Sequence, residues 1–326
     1  MNELAEKTLA SAVPAQTLFG QPRGLATLFL TEMWERFTYY GMRAVLILFM
    51  VAAVSQGGLG LDDKTSSSIY GLYLGSTYLL GLLGGWIADR LIGAQRAVVS
   101  GGVFIAVGNA LLALGNTAIF FIGLIVVAMG VGLLKPNVSA LVAALYPEGG
   151  SRRDAGFSFF YMGINLGAFL GSLGVPIFAA AFGWRFGFAL PALGMALGVT
   201  QFLLTRRYLG SAGLVLADHK RGSWVPVIAI LALLAASVLL TLTGTVRLDA
   251  VLLAASASWA YAVLGVAYFA YLLFFAGLSN VERKRALVMV ALFAASVTFW
   301  AGYEQQGSSF NLFAQRYTDR HIFGWV

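Results

Sequence analysis

The chemistry in this chain is concentrated in one short run. Between residues 32 and 43, Glu32, Glu35, Arg36, Tyr39, Tyr40 and Arg43 recur at intervals of three and four, the spacing that sets side chains along one face of a helix. The flanking segments, TLFL before and AVLILFMV after, are apolar, so the charged face belongs to a helix that otherwise suits hydrocarbon. A charge at the centre of a spanning helix costs about 2.5 to 3.5 kcal/mol, so four on one helix would cost about 10 kcal/mol or more if unpaired. Partners, water or a ligand must offset that cost. One reading is an ion-pair network that only fixes helix packing. The other is the lining of a watered cavity, favoured by the two tyrosines and by Arg43, which has no acidic residue four positions away on its own helix.

Two further polar positions fit the same cavity. Lys135, in GVGLLKPNVSA, sits deep in a later apolar run and precedes Pro136, whose missing N–H frees a backbone carbonyl and favours a kink. Glu304, in FWAGYEQQGSSFNLFA, is the natural counter-ion for Arg43 or Lys135. No residue set here supports catalysis: the chain has no cysteine and two histidines, His219 and His321, both in polar stretches outside the apolar runs. Catalytic residues, a metal site and an enzymatic function are therefore not expected.

The elements that must position these residues follow from composition. Of 326 residues, 59% are hydrophobic and 11% charged, too few polar groups to clothe a water-soluble domain of this size. Mean hydropathy is +0.82. Apolar stretches long enough to cross a hydrocarbon core of about 30 Å predict membrane helices near 25–53, 68–89, 95–114, 117–145, 155–182, 187–206, 224–244, 250–277 and 286–313. An all-α integral membrane protein results, with the lipid bilayer as its surroundings.

The net charge of +7 does not point to nucleic acid, because the cations fall between spans. Lys7, Arg23, Arg90, Arg96, Arg152, Arg153, Arg206, Arg207, Lys220, Arg221, Arg283, Lys284 and Arg285 share one side, against Lys64, Arg185, Arg247, Arg316 and Arg320 on the other. The richer side is cytoplasmic by the positive-inside rule, which places the N-terminus inside. Gly163, Gly167 and Gly171 recur every four residues in the fifth predicted span, a pattern that lets helix backbones approach closely.

The segment EMWERFTYYG, with Glu32, Glu35, Arg36, Phe37, Tyr39 and Tyr40, resembles the first-helix motif of the proton-coupled oligopeptide transporter family of the major facilitator superfamily. FYMGINLGAF, with Phe160, Tyr161, Ile164, Asn165 and Gly167, is similar to that family's fifth-helix signature. GGWIADRLIGAQR is similar to the superfamily loop between helices two and three, and there Asp89 pairing with Arg96 is expected to latch helices on the cytoplasmic side. The resemblance implies a major facilitator fold: a cytosolic tail at 1–24, an N-terminal six-helix bundle at 25–208 and a cytosolic linker at 209–223. An inserted two-helix hairpin follows at 224–277, then the seventh core helix and an outer segment at 278–326. Core helices eight to twelve are missing, so a truncated chain is expected.

The same resemblance implies a proton-coupled symporter that imports di- and tripeptides by alternating access, acting as a monomer in a bacterial cytoplasmic membrane. Arg36, Arg43 and Lys135 would receive the peptide carboxylate, Tyr40 and Tyr78 would add hydroxyl donors, and Asn165 would hydrogen-bond the peptide backbone or amino end. Trp300 would wall a side-chain pocket. Glu32, Glu35, Arg36 and Glu304 would couple the proton, which is the coupling ion in place of any cofactor. A non-transporting fragment and a carrier of another small anionic or zwitterionic solute are the alternatives.

Overall fold

The computed structural model describes residues 17–18, 20–214 and 222–319. Lys7, His219, Lys220, Arg221, Arg320, His321, most of the expected tail and the middle of the expected linker lie outside the described residues. Ten helices follow in order: α1 Arg23–Val51, α2 Asp63–Ile87, α3 Ala94–Leu112, α4 Thr117–Ala144 and α5 Gly150–Phe182. Then come α6 Trp184–Thr205, α7 Val225–Leu242, α8 Ala250–Phe274, α9 Asn280–Tyr303 and the short α10 Ser309–Tyr317. Eight of the described helices, α2 to α9, are long and apolar enough to cross a membrane. α1, at 29 residues, is as long and carries the four charges of the stripe.

Two departures from the sequence expectation stand out. Residues 17–22 are not simply tail: β1 Thr17–Leu18 pairs antiparallel with β2 Gln21–Pro22, and the Tyr146 hydroxyl donates to Gln21 Oε1 at 2.7 Å. The predicted helix 286–313 is broken. α9 ends at Tyr303, Glu304–Gly307 form a 3-10 turn, and Ser308 leaves helical geometry at φ −129°, ψ −100° before α10 begins. The run QQGSS is the cause, since glycine and serine are poor helix formers in succession.

The described residues form two compact units: one comprises those up to Val45 with those between Tyr73 and Arg247, the other Leu46–Leu72 with those from Leu248 onward. In the first unit α1 packs against α5 through the small-residue stripe. A Cβ on Gly167 would collide with the Met33 carbonyl, and one on Gly171 with the Phe37 carbonyl. α3 and α4 meet in the same way at Gly101 and Gly130, and at Gly108 and Gly123. Such approach suits helices in lipid, where association depends on van der Waals packing rather than on a hydrophobic driving force. α1 is further tied to α6, with Thr38 Oγ1 donating to the Pro191 carbonyl at 3.0 Å. Between α5 and α6 the chain reverses through the single residue Gly183, whose φ of 92° favours glycine.

α4 carries Pro136, and the adjacent Asn137 donates from Nδ2 to the Leu133 carbonyl at 2.6 Å and the Gly84 carbonyl at 3.2 Å. This side chain pins the proline region to α2. α7 joins the first unit through Val227 against Ile87 and Leu91. In the second unit, α8 and α9 meet at Phe269 and Phe293, with ring centroids 5.2 Å apart. A capping box of Ser279 and Glu282 starts α9.

The α1–α5 contact gives a direct test. Gly171→Leu is expected to lower thermal stability by about 1 to 3 kcal/mol or prevent folding, whereas Gly174→Ala, whose Cβ would meet nothing within 4 Å, is expected to be neutral or stabilising by up to about 1 kcal/mol. Thermal unfolding of the purified variants in detergent distinguishes the two, and equal losses would remove the close-packing argument.

Candidate functional site

The stripe on α1 is buried: Glu35 has no exposed surface, and Glu32, Arg36 and Arg43 are each at most 5% exposed. The Arg36 Nε donates to Glu32 Oε1 at 2.8 Å and lies 2.6 Å from Glu35 Oε2. One guanidinium thus answers two carboxylates, one a full turn before it and one adjacent. Glu32 Oε2 and Glu35 Oε1 accept no hydrogen bond from the described residues.

Tyr39 organises the cationic side. Its ring lies 5.3 Å from the Arg36 guanidinium and 5.9 Å from that of Arg43, within the range of cation–π attraction. Tyr40 stands edge-on to it at 5.2 Å. Sequence reasoning placed Tyr39 on the stripe without assigning it this task; the i, i+3 and i+4 spacing from Arg36 and to Arg43 was the signal. Lys135 on α4 holds its ammonium 4.9 Å from the Tyr78 ring centroid, and its charge reaches Glu35 together with those of Arg36 and Glu32.

The first unit therefore brings together Glu32, Glu35, Arg36, Tyr39, Tyr40, Arg43, Lys135 and Tyr78, with two carboxylates set among three cations. Asn165 on α5 is exposed, and its Nδ2 donates to the Tyr161 carbonyl of its own helix at 2.9 Å. Trp300 and Glu304 belong to the second unit. Trp300 packs edge-on against Phe299 and Tyr303 at 5.5 and 5.2 Å, and Glu304 opens the 3-10 turn that breaks the helix.

The expected latch is not made: Asp89 and Arg96 are both exposed and form no ion pair among the described residues. The physical reason is local. α2 ends in a π-turn, Ala88–Ile92, and Gly93 at φ 85° redirects the chain before Arg96 on α3. An ion pair that sequence reasoning missed lies in the second unit, where Arg316 grips Asp63 through two hydrogen bonds of 2.6 and 2.8 Å. Those bonds push the Arg316 guanidinium further up from its ordinary value. The partners are 253 positions apart, so no local pattern could have revealed them.

Against this geometry the family can be stated. Residues 95–325 match the model of the POT family. The chain belongs to the POT family. Its likeness extends beyond the matched segment to α1: it is 40% identical to the peptide transporter YePEPT of Yersinia enterocolitica over 98% of this chain and 65% of that protein. It is 34% identical to a di-/tripeptide transporter of Lactococcus lactis subsp. cremoris over 90% of this chain and 61% of that protein. A crystal structure of a peptide transporter POT in complex with sulfate superposes with a TM-score of 0.88 at 38% identity, covering 98% of this chain and 66% of that one. A POT family transporter in complex with 5-aminolevulinic acid gives 0.86 at 36% identity, covering 97% and 66%. The POT chain described here thus spans 65% and 61% of the length of these two curated relatives, and it has the multi-pass helical architecture of a membrane transporter family.

The buried cluster makes a stability prediction. Arg36→Ala strands two buried carboxylates and is expected to cost about 3 to 5 kcal/mol. The triple variant Arg36→Ala with Glu32→Gln and Glu35→Gln removes the charges together and is expected to recover most of the loss in a thermal unfolding assay. Arg316→Ala at the exposed Asp63–Arg316 pair is expected to cost no more than about 1 kcal/mol.

Proposed function

We propose that this chain carries the substrate-receiving and proton-coupling half of a proton-driven di- and tripeptide importer of the bacterial cytoplasmic membrane. In this reading it acts as a monomer with its N-terminus inside, and as a carrier rather than an enzyme. The observation that carries the reading is the buried pairing of one arginine with two carboxylates on α1, with Arg43 and Lys135 close by. Relatives named as peptide and di-/tripeptide transporters support the substrate class.

Two carboxylates among three cations leave an excess of positive charge suited to a peptide carboxylate. Guanidinium groups receive such a carboxylate through two parallel hydrogen bonds. Tyr40 and Tyr78 add hydroxyl donors, and Asn165 contacts the remainder of the peptide. Protonation of Glu32 or Glu35 removes one of the two charges that hold Arg36 and loosens its grip, so proton uptake and release of a cation are the same event. Glu304, at the break after α9, is the further proton carrier. Helix breaks of this kind in transporters give a segment on which to pivot and present backbone groups to a site. Asp89 and Arg96 close the cytoplasmic side in another step of the alternating-access cycle.

A second reading, a carrier of another small zwitterionic solute, is favoured by the relative solved with 5-aminolevulinic acid, which like a peptide carries an amino group and a carboxylate.

The test is uptake of a labelled dipeptide into proteoliposomes with and without an inward proton gradient, for this chain and for a form extended to twelve core helices. One proton moving down 100 mV supplies about 2.3 kcal/mol, enough for the roughly 1.4 kcal/mol of tenfold accumulation. Gradient-driven accumulation is expected in the extended form, abolished there in Glu35→Gln and Glu304→Gln while exchange of peptide persists. Unchanged proton-driven uptake in both variants would reject the coupling roles. Transport of 5-aminolevulinic acid but no peptide would select the second reading.

A further inference from the structure

The cations that the sequence placed on the cytoplasmic side do more than set topology. Arg96 on α3 and Arg206 and Arg207 at the end of α6 line one open cleft of about 680 Å3, together with the apolar Val99, Leu203 and Leu204. No acidic side chain among the described residues lines it, and none of the three arginines forms an ion pair among those residues. The cleft has a built floor. Gln95, 8% exposed, donates from Nε2 to the Gly210 carbonyl at 3.1 Å and the Ala212 carbonyl at 2.7 Å, folding the chain after α6 back over the start of α3. Gly213, at φ 70°, allows that reversal.

We propose that this cleft binds the phosphate headgroup of an anionic phospholipid of the cytoplasmic leaflet, with an acyl chain lying along α6. Three arginines that no described acidic side chain pairs, held where α6 ends, match a phosphodiester in charge and in hydrogen-bonding geometry. Basic pockets between membrane helices on the cytoplasmic side recognise anionic headgroups for this reason. A soluble anion would need only the arginines. The outward-facing Leu203 and Leu204, 43% and 71% exposed, continue the cleft into the apolar span Trp184–Leu209, and that continuity selects an amphiphile. The inference stands apart from the α1 cluster: it rests on the cleft and on the inward orientation of the basic loops proposed above.

The experiment measures phosphatidylglycerol retention by the whole purified chain by native mass spectrometry, with phosphatidylcholine as the zwitterionic control and inorganic phosphate as competitor. Arg206→Gln with Arg207→Gln is expected to weaken phosphatidylglycerol binding about thirtyfold, the attraction of two arginines for an anionic leaflet, and to leave phosphatidylcholine unchanged. Arg206→Lys with Arg207→Lys is expected to keep most of the preference. Photoactivatable phosphatidylglycerol on the unaltered chain is expected to label the Val99–Ser100 and Leu203–Leu204 segments, a readout that needs no variant to fold. Equal phosphatidylglycerol retention in the Gln variant, labelling elsewhere only, or displacement by millimolar inorganic phosphate would overturn the proposal, the last by showing that a free anion is the ligand.

Discussion

The grip of Glu32 and Glu35 on Arg36 is the constraint around which the first unit is arranged. A guanidinium in the interior of a membrane protein must find its anion at short range, because no bulk water is there to stand in. Placing both carboxylates on the same helix, at i−4 and i−1, solves that problem before any other helix arrives. The solution carries a consequence: two acids share one base, so the cluster is negative until a further cation approaches. Lys135 answers from α4, and its charge reaches Glu35. Arg43 and Arg36 meet through the Tyr39 ring that both approach, which spreads cationic charge along the helix without a direct Arg–Arg contact.

That arrangement demands that α1 be held closely, and the neighbouring helices are built to do so. α5 presents glycine to the passing α1 backbone at Gly163, Gly167 and Gly171. A leucine in this stripe would hold the two backbones apart and move the charged face away from its surroundings. Thr31 and Thr38 each return a hydroxyl to their own helix and also reach Gln201 or the Pro191 carbonyl on α6. These contacts fix rotation as well as distance. α8 and α9 contrast with this: almost none of their residues are buried among the described residues.

How much of this was legible in the sequence depends on the range of each interaction. The α1 stripe and the glycine repeat both operate within one or two helical turns. Spacing alone therefore reveals them. Most of the spans appear where hydropathy put them. The break at Glu304–Gly307 escaped, because averaging hydropathy over a span hides a local polar turn between Tyr303 and Ser309. The two-residue strands at Thr17 and Gln21 are too short to leave a periodic signal. Asp63 with Arg316, and Gln95 with Gly210 and Ala212, join distant parts of the chain, and nothing near any of these residues announces its partner.

The fate of Asp89 and Arg96 shows where reading by motif stops. Both residues are in the segment that suggested a latch, yet each is exposed to solvent, where an ion pair contributes at most about 1 kcal/mol and is readily exchanged. At that energy the same arginine can serve different neighbours in different conformations. Buried Arg36 has no such freedom, because separating it from both carboxylates would leave three charges uncompensated at once. The motif on α1 therefore specifies a geometry, whereas the motif after α2 specifies only a charge at a place. The proposed function draws on both, the fixed cluster of α1 and a looser set of surface cations.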